Sequence, residues 1–147
     1  MFLTIRIILG VLFIVSGGEK LLSPLANFIF VIDGYQVVPA ALQPAVAWVF
    51  PWLELFAGLF ILLGLWLRPA LMVLGLMSLS LAGIVGQAIL RKLPLENCGC
   101  FGELVHLPLG GVILIDISVV ALTLWCLANI KKASVFSLDE WYARTGV

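Results

Sequence analysis

The sequence predicts an all-α integral membrane protein, a four-helix bundle with a short outer interfacial helix between helices 1 and 2. Three observations carry this expectation. The 147 residues are 63% hydrophobic and only 11% charged, where a soluble domain carries about 25% charged residues. Mean hydropathy is +1.22. Four apolar stretches, at about 3–18, 45–67, 70–90 and 108–128, each approach the ~20 residues that cross a ~30 Å hydrocarbon core at about 1.5 Å per residue. The length suits one domain over 1–147, ending in a cytoplasmic tail at 129–147. Eight basic residues balance eight acidic ones, so no net field invites nucleic acid.

The first stretch is the shortest. Arg6, an apolar run and Ser16-Gly17-Gly18 also fit a secretory signal peptide with a small-residue cleavage site; as a span, the stretch completes the bundle. Ser23-Pro24 then reads as a helix start, with serine as N-cap and proline at the first helical position, and Asp33-Gly34 as a stop. The LANFIFVI run between them is too short to span. It fits a helix lying on or dipping into the outer leaflet, followed by a loop that ends with Pro39 and Pro44. Arg68-Pro69 leaves so short a connection that the second and third spans form an antiparallel hairpin. In the third span Ser78, Ala82 and Gly86 recur every four residues, a small-residue stripe of the kind that lets helix backbones approach. Past the fourth span, Ser137 and Glu140 have capping-box spacing and precede Trp141-Tyr142, which suggests a short interfacial helix.

Four spans put both termini on one side. With the N-terminus inside, that side holds Arg6, Arg68, Lys131, Lys132 and Arg144, and the other holds Lys20, Arg91 and Lys92. Five against three favours N-in and C-in. Trp48 and Trp52 fall toward one interface, and Trp66, Trp125 and Trp141 toward the other, as aromatic belts do. The loop bearing Cys98 and Cys100 then faces outward, which in a bacterial inner membrane means the periplasm, where disulfides persist.

Cys98-Gly99-Cys100 carries the most chemistry. The two-residue spacing puts the α-carbons near the upper limit for a disulfide, so a bridge there is strained and better suited to exchange than to stapling. Closing so small a loop restricts the unfolded chain little. Two other readings stand beside this one: a metal site drawing on His106, Glu96 or Glu103 in a spacing that fits no standard zinc pattern, and a pair of inert thiols. Cys126 lies about 27 Å further along the last helix and reads as a packing residue. Of the polar groups inside the spans, Glu54, Gln87 and Asp116 fall in the outer half, with Glu19 at the end of the first span, and Lys20 and Arg91 are the cations in reach. A Glu54–Lys20 pair that fixes helix register and a buried acid that passes protons to an electron carrier are both consistent with the sequence. Glu19 and His106 read as solvated surface groups.

Arg6 before ILG, Ser16-Gly17 with Lys20-Leu21, Pro51-Trp52-Leu53-Glu54-Leu55 with Gly58, and Cys98-Gly99-Cys100-Phe101-Gly102 together resemble the methylamine utilisation protein E (MauE) family, within the wider DoxX-like group of four-helix membrane proteins. The likeness covers about residues 3–130. It implies a role in disulfide formation or redox maturation of periplasmic proteins beside a thioredoxin-like partner, with Cys98 and Cys100 as the redox pair and Glu54 as the buried acid. After CGCFG the family often has Trp and a basic residue, where this chain has Leu109, Gly110 and Gly111. The resulting expectation is a membrane thiol-disulfide component with Cys98 and Cys100 catalytic and Glu54, Lys20, Asp116 and Gln87 supporting. No haem, flavin or nucleotide motif is evident, which leaves a quinone as the natural acceptor. The alternative is a non-catalytic subunit or assembly factor of a larger membrane complex, in which Cys98 and Cys100 form a structural bridge.

Overall fold

The computed structural model describes residues 2–92 and 109–130. Its elements in chain order are α1 (Phe2–Leu22), α2 (Leu25–Tyr35), α3 (Gln43–Leu63), α4 (Leu67–Leu90) and α5 (Leu109–Ala128). The expected architecture is present: four helices long and apolar enough to span, and a short apolar helix between the first and second of them. Glu96, Cys98, Cys100, Glu103, His106 and the tail with Ser137, Glu140, Trp141 and Tyr142 lie outside the described residues.

Several boundaries move from their expected places. Helix α1 runs on through Ser16-Gly17-Gly18 to Leu22, because packing against α3 outweighs the weak helix propensity of glycine. Ser23 does not cap α2. Its amide closes α1 by donating to the Glu19 carbonyl at 2.9 Å, and Pro24 occupies the N-cap of α2. Nor does Asp33-Gly34 stop that helix, which ends at Tyr35; Gln36 takes the left-handed conformation at φ 52° and returns its N–H to the Asp33 carbonyl. The α3–α4 hairpin turns at Gly64 (φ 71°) and Trp66 (φ 44°), a few residues before Arg68-Pro69. Pro69 instead sits in the first turn of α4, where a missing N–H leaves no helical bond unmade.

The closest pairings are α1 with α3 and α4 with α5, and both are antiparallel. Gly10 lies against Leu62 and Gly17 against Leu55, so residue numbers rise on one helix as they fall on the other. Gly75 faces Thr123 while Val85 clusters with Val112. The main core joins the two pairs through Leu9, Phe13, Ile61, Leu71, Leu74 and Val119. Cys126 is fully buried in this core, in keeping with a packing role. An edge-to-face contact of Phe2 with Trp125, centroids 5.7 Å apart, ties α1 to α5. Outward, Ile8, Val15, Leu76, Leu79, Leu114 and Leu124 are exposed. Such faces are stable only in lipid, and the chain is a multi-pass protein of the bilayer.

The Ser78, Ala82 and Gly86 stripe is not one continuous contact line. Ser78 is buried, but a Cβ placed on Gly86 would meet nothing within 4 Å. The tight approach is between α1 and α3. A Cβ on Gly17 would stand 2.8 Å from both the Leu55 nitrogen and the Pro51 oxygen, and one on Gly58 would stand 2.9 Å from the Gly10 oxygen. Two bare backbones therefore slide together at the level where the polar residues sit.

Candidate functional site

On α1, Ser16 and Lys20 are one turn apart and share a face, with Gly17 beside them. Gly17 lets α3 close on this face at Pro51 and Leu55. Pro51, inside α3, has no N–H, so the Ala47 carbonyl lacks its usual helical donor. One turn of α3 away is Glu54, and the short interhelical distance brings it onto Lys20.

Lys20 Nζ donates to Glu54 Oε1 at 2.9 Å, to Glu54 Oε2 at 2.7 Å and to Ser16 Oγ at 3.0 Å. The Ser16 hydroxyl donates to Glu54 Oε2 at 3.4 Å. Both charged side chains are only 2% exposed. An ammonium has three protons to give, and all three are placed. The rings of Phe28 on α2 and Phe50 on α3 flank the ammonium, with centroids 5.8 and 5.9 Å from Nζ, a distance at which the ring faces attract the cation. The ion pair is thus sealed: hydrogen bonds satisfy the cation on one side and aromatic faces exclude other partners on the other. A buried pair tolerates its desolvation only with this degree of satisfaction.

Asp116 on α5 is buried, and its Oδ2 has no hydrogen-bond partner among the described residues. It lies within electrostatic reach of Glu54 and Lys20 and of Tyr35, but it is not hydrogen-bonded into the pair. Burial first, and the Asp116 carboxylate second, push the Tyr35 phenol up to about 12. Of the four supporting residues expected from the sequence, Lys20 and Glu54 meet and Asp116 stands near them. Gln87 does not join them. With its amide oxygen toward Arg91 it accepts from Nε, Nη1 and Nη2 at 3.1, 3.2 and 3.0 Å, an arrangement within one turn of α4. Glu19 is half-buried with Oε2 shut from solvent, more enclosed than the solvated group expected. Cys98 and Cys100, the expected redox pair, lie outside the described residues.

Two parts of the site escaped the sequence reading. One is the second layer around Lys20, made by Ser16, Phe28 and Phe50; the Ser16–Lys20 spacing was its only visible signal. The other lies toward the far end of the bundle. Arg6, counted from sequence as an inward surface charge, is 1% exposed. It donates Nε to the Ile61 carbonyl at 3.2 Å and Nη2 to the Leu62 carbonyl at 3.5 Å. These belong to the last turn of α3, where carbonyls lack helical donors and the helix dipole favours a cation. At the α2 end, Gln43 Nε2 donates to Asp33 Oδ1 at 2.8 Å and to the Val38 carbonyl at 3.3 Å, tying the end of α2 to the start of α3.

No curated protein and no solved structure matches the chain at a significant level. The model of one family, described as methylamine utilisation protein MauE, matches residues 1–129. That match takes in all four spanning helices, the sealed Ser16, Lys20 and Glu54 cluster, and the Cys98-Gly99-Cys100 segment. The chain belongs to the MauE family of integral membrane proteins.

Proposed function

We propose that the chain is a membrane thiol-disulfide component whose Cys98 and Cys100 exchange a disulfide with a periplasmic thioredoxin-like partner. The observation that carries the reading is the Cys98-Gly99-Cys100 pair itself, in a segment whose two flanking helices end and begin at the α2 end of the bundle. The buried Lys20–Glu54 cluster is nearer the end of the bundle at which α4 stops and α5 starts, which supports a polar centre at that end. In the oxidising direction, a partner thiolate attacks one sulfur of the Cys98–Cys100 bond. That bond breaks, a mixed disulfide forms, and the other cysteine leaves as thiolate. The partner's second thiolate then attacks the mixed disulfide, so the partner leaves oxidised and the pair is left as two thiols. Restoring the pair removes two electrons and two protons, for which a quinone is the acceptor of matching stoichiometry. The orientation that serves this chemistry is N-in and C-in in a bacterial inner membrane, with the cysteine loop outward.

The test is a titration of the purified protein against thiol redox buffers, read by alkylation of Cys98 and Cys100. A midpoint between about −100 and −200 mV is expected; a midpoint far below about −300 mV marks a structural bridge and ends the exchange reading. A second expected result is that Cys100→Ser traps a mixed disulfide through Cys98 with a thioredoxin-like protein. If neither single serine variant traps a partner, the relay fails. A second reading, a non-catalytic subunit of a larger membrane complex, has the complete hydrogen bonding of the Lys20–Glu54 pair in its favour, since a pair with no donor to spare serves register well.

A further inference from the structure

Inside the bundle two carboxyls stand in electrostatic reach of one ammonium: Glu54 of α3, Asp116 of α5 and Lys20 of α1. Lys20 gives its three protons to Glu54 and Ser16, so the ammonium is fully committed. Asp116 is 4% exposed, and its Oδ2 has no hydrogen-bond partner among the described residues. The other cations of the described residues are placed elsewhere. Arg91 is held by Gln87, and Lys92 follows it past the end of α4. Arg68 lies in the first turn of α4, at the opposite end of the bundle, and Arg6 is bound to the last turn of α3. The 93–108 connection contains no lysine or arginine. Tyr35 of α2, the remaining titratable group in reach of Asp116, is a phenol and brings no positive charge.

We infer that Asp116 is a proton-binding site, which holds an exchangeable proton in the resting bundle while Glu54 stays a carboxylate on Lys20. Two ionised carboxyls beside one ammonium would leave a net negative charge in a low-dielectric interior, and a buried carboxyl without a counter-ion neutralises instead. Glu54 is the acid that keeps its charge, because both its oxygens accept from the ammonium and one also accepts from Ser16. Asp116 Oδ2 has no such donor in place of the water it has lost. From the first residue of α5 to Asp116 is about 10 Å of helix, a short path for a proton to the α2 end of the bundle. The inference goes beyond the thiol-disulfide reading and stands without it, since its ligand is a proton, whatever Cys98 and Cys100 exchange.

The experiment is infrared spectroscopy of the full chain at neutral pH in dodecyl maltoside, a detergent with no carbonyl of its own, comparing the wild type with Asp116→Asn. Asparagine keeps the size of the side chain and resembles the neutral acid. The difference spectrum is expected to show the carbonyl stretch of a protonated carboxyl in the wild type, lost completely in the variant and shifted to lower frequency in heavy water. A second measurement needs no substitution. Dicyclohexylcarbodiimide requires the carboxyl proton to form its acylurea, and it is expected to add to Asp116, the one acidic residue of α5, and to remove the same band. No such band in the difference spectrum, a band unmoved by heavy water, or an adduct on Glu54 in place of Asp116 would overturn the assignment. The redox titration of Cys98 and Cys100 decides the exchange reading separately. A structural-bridge midpoint with the Asp116 band present removes that reading and leaves the proton site; an exchange-range midpoint with no band removes the proton site alone.

Discussion

Deleting Lys20 and deleting Glu54 each strand a charge; deleting both strands none. Lys20→Met leaves the Glu54 carboxylate buried with the Ser16 hydroxyl as its remaining donor among the described residues, and breaking a buried pair in this way costs about 3–5 kcal/mol. The double variant Lys20→Met with Glu54→Leu replaces the pair by apolar groups and is expected to recover most of that loss. Ser16→Ala removes one acceptor of three and costs about 1 kcal/mol. Thermal unfolding of the wild type, Lys20→Met, Glu54→Leu and the double variant in one detergent measures the cycle; a double variant no more stable than Lys20→Met refutes the view that stranded charge is what destabilises it. The pairing itself was legible in the sequence, because Lys20 and Glu54 are opposite charges toward the same end of helices that come together. Ser16 was not, because a helical serine usually bonds its own preceding turn, as Ser80 and Ser118 do to the Leu76 and Leu114 carbonyls at 2.8 and 2.7 Å. Gln87 misled for a related reason: its depth on α4 matched the cluster, but Arg91 one turn away is a nearer partner than anything across the bundle.

Between helices, the decisive quantity is how closely two backbones come. Gly17 and Gly18 are neighbours in sequence and opposites in the fold. A Cβ on Gly17 would press on the Leu55 nitrogen and the Pro51 oxygen, each 2.8 Å away, whereas one on Gly18 meets nothing within 4 Å. Backbone atoms cannot rotate aside as a side chain can, so Gly17→Ala forces α1 and α3 apart and is expected to cost roughly 1–3 kcal/mol. The same step lengthens the Lys20–Glu54 contact. Gly18→Ala is expected to be neutral or slightly stabilising, since alanine is the better helix former. Equal melting temperatures for the two variants would contradict this account of the α1–α3 seam. Helical periodicity placed the close approach on α4, where Ser78, Ala82 and Gly86 repeat. Periodicity identifies a face and not the distance to its partner, and the glycines that matter, Gly10, Gly17 and Gly58, are spread over two helices. Element ends were displaced by similar causes, since Gly64, Trp66 and Gln36 hold the left-handed positions that close α3, open α4 and close α2.

For the whole molecule, burial changes the charge argument without changing its direction. Arg6 is spent on the α3 carbonyls and Lys20 on Glu54, and neither stands free at a membrane surface. Setting them aside, the sequence count behind the proposed N-in, C-in orientation becomes Arg68, Lys131, Lys132 and Arg144 against Arg91 and Lys92, a bias that the proposal still satisfies. Exposed tryptophans frame the same slab, with Trp48 and Trp52 toward the α2 end and Trp66 and Trp125 toward the other, though belts mark both surfaces alike. The three cysteines turn this orientation into a measurement. Cys126 is fully buried near the far end of α5 and is expected to resist a membrane-impermeant maleimide in intact cells, in opened cells and in folded detergent extracts, reacting after denaturation. It serves as the internal reference. With endogenous disulfides first reduced, Cys98 and Cys100 are expected to label from outside intact spheroplasts. Labelling that appears only after the membrane is opened, while Cys126 still resists, would invert the bundle. The thiol pair would then face a reducing cytoplasm, where a disulfide handed to a secreted partner has no route, and the exchange reading would lose its compartment.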